Sequence, residues 1–378
     1  MKKTILAFVV VGIAGGAGTS AVACSSSSGK GSPPAEAGAE GGNVEAGAEG
    51  GGGGFSPTIA CSDSIDSVYA DPGDVSSKPK GAILKCAHDT DISASALLGL
   101  AKAQDDAGTP VYSGAAFTSG AHVYRVLYRT ERGDTNNSPG YSSALVLLPD
   151  APRASTLPVV VASHGSRGQA GKCAPSRLDP AASDVNGDFI HQAYPLVGAG
   201  YAVIAPDLAG YANFGGANNP PSAYADAADV GKSTLDGAAA LRNLLPSASL
   251  SQQVIITGHS QGGHTALSAL ALSSSYPVSG TIAGVAVYSP LWISQRAWAA
   301  IFLDPTDYSF AKSSAGNVSI WYHYSHATLL DGPDAGTELV QPAKAAAVQA
   351  FFQNDCWGDG YPSLADAGTS ANDIFLTS

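Results

Sequence analysis

The stretch Gly258-His259-Ser260-Gln261-Gly262 carries the residue types and spacing that point most directly to chemistry. A chain with 45 glycines meets G-x-S-x-G easily by chance, so the pattern gains weight only from its surroundings. Here the apolar run QVIITG (253–258) leads into it and the helix-forming run GHTALSALAL (263–272) leads out. A serine on a sharp strand-to-helix turn exposes its hydroxyl as a nucleophile, and small residues at Gly258 and Gly262 let neighbouring backbone come close. The following helix turns its positive end toward that serine, which favours an oxyanion beside it. Ser260 is therefore the candidate nucleophile, and the backbone N–H of Gln261 a candidate oxyanion donor. A second piece lies in VVVASHGSRGQAGKCAPS (159–176), where His164-Gly165-Ser166 follows an apolar strand and the Ser166 N–H is placed as the other oxyanion donor. The chemistry these pieces suit is acyl transfer through an acyl-enzyme.

These residues need a rigid support. The segments 121–130 and 141–149 alternate like strands around the turn-rich GDTNNSPG (133–140), as a hairpin does. The runs 157–163, 201–207, 253–258 and 281–289 are continuously apolar, as expected of strands covered on both faces. Helical spacing in 224–245 supplies a connection between two of them. Alternation of strand and helix predicts an α/β fold with a mostly parallel sheet flanked by helices. Asp207, at the end of one strand, is placed to organise the adjoining loop.

The composition excludes some classes. The 378 residues carry a formal net charge of −12 with only 13% charged residues, which leaves no basic excess for a nucleic acid backbone. No H-E-x-x-H, paired C-x-x-C or carboxylate cluster with metal spacing occurs, so neither a metal nor another cofactor is expected. His88 and His122 lie outside every motif.

The N-terminus reads as an export signal: Lys2 and Lys3, an apolar stretch from Ile5 to Ala14, and small residues before a cysteine. Ala21-Val22-Ala23-Cys24 resembles a lipoprotein box, with Ala21 where leucine is usual. An ordinary cleavage site that happens to precede a cysteine is the alternative. The expected organisation is a signal peptide over 1–23, lipidated Cys24 with a disordered Gly, Ser, Ala and Glu linker over 24–56, a catalytic core over 57–289 and a helical cap region over 290–378. The linker carries EAGAEGG twice, at 36–42 and 45–51, and is too polar to fold. Such a protein is exported and held by its lipid at the outer membrane or cell surface. With Cys24 set apart, Cys61, Cys86, Cys173 and Cys356 remain, enough for two disulfides in any of three connectivities.

The segments 163–176, 200–215 (GYAVIAPDLAGYANFG) and 258–263, the helix from Tyr224 to Leu245 and the helix-rich region opening YSPLW (288–292) together resemble the secretory lipases of the lipase A type, in the α/β-hydrolase superfamily. The resemblance runs from about Thr118 to the C-terminus. It implies a helical cap after the sixth core strand and hydrolysis of carboxylic esters, small or lipid. It also implies a disulfide between Cys173 and Cys356, leaving Cys61 with Cys86.

One feature departs from that family. The acid and histidine of an α/β-hydrolase triad follow the serine on loops after later strands. Only 118 residues follow Ser260, and 52 of them follow His326, the last histidine. The segments 291–302 and 342–352 read as cap helices, whereas VSIWYHYSHATLL (318–330) reads as either helix or strand. As helix, it leaves the chain short of the two strands that would carry acid and base, which describes a C-terminally truncated hydrolase. As strand, it makes Asp331 or Asp334 the acid, with His326 or His323 serving as base from an unusual position. His259 and His264 read as packing residues. Trp292, Trp298, Trp321, Tyr322 and Tyr324 are either an acyl pocket or, more in keeping with their spacing, the core of the cap. The leading reading is a serine carboxylesterase or lipase. Its rivals are a catalytically inert surface lipoprotein and, on the same fold, a serine peptidase.

Overall fold

The computed structural model describes residues 55–102, 112–182, 189–212, 219–291, 314–357, 362–364, 367–368 and 370–376. Among them, seven strands form one sheet: β1 (Ile83–Ile92), β2 (Ala121–Glu131), β3 (Pro139–Pro149), β4 (Leu157–Ser163), β5 (Val203–Ala209), β6 (Leu250–His259) and β7 (Thr281–Tyr288), in the order β1-β2-β3-β5-β4-β6-β7. The first three are antiparallel to their neighbours, and β5, β4, β6 and β7 run parallel. Helices α1 (Ile65–Val68), α2 (Ala94–Ala101), α3 (Tyr194–Gly198), α4 (Ala227–Leu244) and α5 (Gln261–Leu272) accompany the sheet.

The continuous apolar runs follow from two covered faces. In β3, Ala144, Val146 and Leu148 point into a core shared with Leu235, Ala238 and Leu241 of α4 and Ala266 of α5. The alternate residues Leu145 and Leu147 join Leu97, Ala101, Tyr194 and Val197 on the opposite face. A strand buried on both sides leaves no polar face, so alternation disappears from its sequence.

The predicted strands are present, with β5 starting two residues later than the 201–207 run. Strand β1 and helix α2 are additions the sequence did not announce. ILKCAHDTDI is polar because β1 is an edge strand with exposed positions. It is held by pairing with β2 and by the Cys61–Cys86 disulfide.

Beyond β7 the ambiguous segment is helical: α6 (Ser314–Leu330) is followed by α7 (Ala335–Glu338), α8 (Ala345–Asn354) and α9 (Ala371–Ile374). Almost every described residue of α6 is buried or half-buried, so the sequence shows no polar stripe that would mark a helix. Its Val318, Ile320, Trp321 and Tyr324 pack with Val348, Phe351 and Phe352 of α8 and with Tyr224 in a core separate from those of the sheet. Trp321 stacks on Phe351 with ring centroids 5.3 Å apart. The Cys173–Cys356 disulfide ties this helical region to the loop after β4, beside a bridge between Gly168 and Cys356. Both implied disulfides thus form. The 291–302 run, Trp292, Trp298, Cys24 and the N-terminal signal and linker lie outside the described residues, except for Leu291 and residues 55 and 56; Phe55, expected in the linker, is instead buried in the sheet core. No helix among the described residues is long and apolar enough to cross a membrane.

Candidate active site

Ser260 stands between β6 and α5 with φ 53° and ψ −117°, a conformation that costs a non-glycine residue of order 1–3 kcal/mol. The surroundings hold it there. Its N–H donates to Tyr288 O at the end of β7 (3.0 Å), and its carbonyl accepts from Leu291 N (2.8 Å) and His264 N (3.2 Å). A serine preceding a helix normally caps it with its own Oγ. The Ser260 side chain makes no such bond. Its hydroxyl is therefore left to the half-open surface where it lies.

The glycines around it are close-approach positions. A Cβ on Gly258 would sit 1.9 Å from Gly262 O, and one on Gly262 would sit 2.0 Å from Ser163 O. The missing side chains let the first turn of α5 lie against the end of β4. The His164 carbonyl is also close, 2.7 Å from where a Gly262 Cβ would be. The first N–H groups of α5 have no carbonyl within the helix to donate to. Gln261 is fully buried, and its side-chain Oε1 and Nε2 have no hydrogen-bond partner among the described residues. Buried amides without a partner are rare in folded proteins.

The loop after β4 is tightly organised. His164 is buried, with Nδ1 2.6 Å from Gly165 O and Nε2 3.2 Å from Asp207 O. Asp207, also buried, accepts from Ser143 Oγ (2.6 Å), Ser176 N (2.8 Å) and Ser176 Oγ. Its oxygens are committed to holding the loop, as its position in the sequence suggested. Ser166 Oγ meets the Tyr224 hydroxyl at 2.5 Å.

Tyr224 leads to the histidines. Its carbonyl lies 3.1 Å from His326 Nε2, and its N–H donates to Ser325 Oγ (2.9 Å), both on α6. His326 Nδ1 faces Asp226 Oδ2 at 3.8 Å, and its ring lies against Tyr322 with centroids 3.8 Å apart. Asp226 also caps α4, accepting from Asp229 N at 2.8 Å. His264, one turn past Ser260, lies within the electrostatic reach of both Asp226 and His326. Burial pushes its pKa down and outweighs the opposing pull of Asp226. The same cause lowers His323, which packs edge-on against Phe375.

The structure thus gathers Ser260, Gln261, Ser166, Tyr224, His264, His326 and Asp226 around the carboxyl ends of β4 and β6. Asp331 and Asp334 are not part of that gathering: both are exposed, at the end of α6 and at the cap of α7, and the carboxylate facing His326 is Asp226. Among the described residues, Ser260 Oγ makes no hydrogen bond to an imidazole. Asp226 and Tyr224 are the residues sequence reasoning missed. No sequence signal marked the approach of His326 to Asp226, since 100 residues separate them.

The alpha/beta hydrolase family profile matches residues 159–371. No curated protein sequence matches the chain. Among solved structures, lipase A of Candida antarctica in its closed state superposes with a TM-score of 0.56 at 17% identity, covering 83% of this chain and 64% of that one. The ligand-bound rice cell wall degrading esterase LipA of Xanthomonas oryzae gives a TM-score of 0.54 at 20% identity, covering 79% and 74%. The chain therefore spans less than two thirds of the length of the Candida lipase. The α/β-hydrolase fold expected from the sequence is the fold observed.

Proposed function

On the premise that this chain belongs to the alpha/beta hydrolase family, we propose that it is a serine carboxylic ester hydrolase acting on small-molecule or lipid esters. The observation that carries this reading is the strained Ser260 at the β6–α5 turn, its hydroxyl spared from helix capping. Ser260 Oγ attacks the ester carbonyl, its proton passes to a base, and the alcohol leaves with that proton. Water then cleaves the acyl-enzyme. The N–H groups of Gln261 and Ser166 hold the oxyanion in both steps. His326 is the base candidate, oriented by Asp226, which takes the acid role that the sequence offered to Asp331 or Asp334. To act, its Nε2 exchanges the Tyr224 carbonyl for the serine hydroxyl. The helices from Ser314 onward serve as the cap over this site.

Hydrolysis of a short-chain nitrophenyl ester, compared between the protein and Ser260→Ala, tests the reading. A loss of about 10⁶-fold in the variant is expected for a nucleophile, and equal rates overturn it. One observation favours a second reading, an ester-binding module without turnover: Ser260 Oγ makes no hydrogen bond to an imidazole among the described residues. Binding of a non-hydrolysable ester analogue with no hydrolysis would select it.

Two disulfides suit an exported protein. The lipid anchor on Cys24 belongs to the same proposal. On this proposal residues 24–54 act as a Gly/Ser-type tether reaching roughly 30 Å, which would hold the domain just above a bilayer. Metabolic labelling with palmitate that disappears in Cys24→Ser would support the anchor, and label retained in the variant would refute it.

A further inference from the structure

A cluster far from Ser260 in the sheet order carries a separate chemistry. On the β1–β2 ribbon, Asp91 stands opposite His122 and His88 opposite Tyr124. His88 and Asp91 are three residues apart, so a regular strand would send them to opposite faces. The register shifts between His88 and Thr90, where two steps on β1 match one on β2. This bulge returns His88 to the face of Asp91 and His122. The extra residue, Asp89, points elsewhere and pairs with the mostly buried Arg125 at 2.7 Å.

Three donor atoms consequently converge. Asp91 Oδ1 lies 2.7 Å from His122 Nδ1 and 3.0 Å from His88 Nε2, and the three residues' ligand atoms all fall within 4.8 Å of one another. We propose that His88, Asp91 and His122 form a binding site for a divalent transition metal ion such as zinc, with water completing its coordination. In a tetrahedral zinc site with bonds of about 2.0–2.1 Å, donor atoms stand roughly 3.3 Å apart, so small side-chain rotations admit the ion. Two imidazoles with one carboxylate suit zinc and its neighbours better than calcium or magnesium, which prefer oxygen. The support is stiff: the Cys61–Cys86 disulfide staples β1 two residues before His88, whose N–H also donates to Cys61 O at 3.1 Å. The Tyr124 ring lies edge-on to His88 at 5.1 Å and limits its rotation. Side-chain exposures of 44%, 61% and 43% leave an entry path and room for water.

Titration of the untagged, metal-stripped protein with zinc chloride by calorimetry tests this site. One ion per chain is expected, with affinity weakened at least about tenfold in each of Asp91→Asn, His122→Gln and His88→Gln. Because these side chains are exposed, the variants should keep the melting profile of the parent. Cobalt(II) should give a visible absorption band that His122→Gln loses. Absence of saturable zinc binding, or unchanged affinity in Asp91→Asn and His122→Gln, would overturn the site.

Discussion

The β6–α5 elbow and the α6 helix both face the candidate site, yet they are built in opposite ways. The elbow is made by neighbours in sequence: a strand, two glycines that accept backbone within 1.9–2.0 Å of a missing Cβ, and a helix whose first turn follows at once. The α6 side depends on pairing at a distance, with His326 meeting Tyr224 across 102 residues and Asp226 across 100. Chemistry set by local geometry is fixed once the turn forms. A base delivered by another region depends on how that region is tied down.

Removing the distant partners should have the largest effect on turnover. If α6 supplies the base, His326→Gln lowers kcat by on the order of 10⁴-fold or more, and Asp226→Asn lowers it less because the ring remains. His264→Gln should leave most activity. The reverse ranking, measured by ester hydrolysis at neutral pH, would transfer the base role to the elbow itself.

The tie between the regions is the next lever. Cys173–Cys356 closes a stretch with a sequence separation of 183, against 25 for Cys61–Cys86. A chain-entropy account gives losses of about 5 and about 3.5 kcal/mol when each is removed. Urea unfolding of the two double-serine variants should keep that order, and only loss of Cys173–Cys356 should also reduce ester turnover.

Within the elbow, Gly262→Ala drives a methyl into the Ser163 carbonyl and should cost about 3 kcal/mol. Gly284→Ala in β7 meets nothing within 4 Å and should be neutral or slightly stabilising. Equal effects would mean that close approach is not what those glycines provide.

The smallest effect is a pH dependence on the sheet side. Asp236 of α4 accepts from Thr130 and Tyr276, both at 2.7 Å, and burial raises its pKa to about 6. Because the folded state holds that proton more tightly than the unfolded one, this group's contribution is greatest below about pH 4 and is lost as pH rises toward 6. Asp236→Asn should flatten that fall, which is worth about 2–3 kcal/mol, in melts compared at pH 4 and pH 7.

The same contrast explains what could be read from the residues alone. Strands buried on both faces announce themselves as apolar runs, and the G-x-S-x-G turn carries its geometry in its own glycines. Strand β1 stayed hidden because an edge strand can be polar, and α6 stayed ambiguous because a helix covered nearly all round shows no stripe. Asp226 carried no signal, because its approach to His326 is made across 100 residues. His88, Asp91 and His122 had no motif to join, since a bulge and a strand pairing bring them together.

Reaction with a fluorophosphonate shows whether Ser260 is an activated nucleophile, because only an activated serine displaces fluoride from phosphorus to form a stable phosphonyl ester. Peptide mass spectrometry should find a single adduct on the peptide that contains Ser260, absent in Ser260→Ala. An unlabelled Ser260, or an adduct confined to another serine, would rule out Ser260 as the nucleophile.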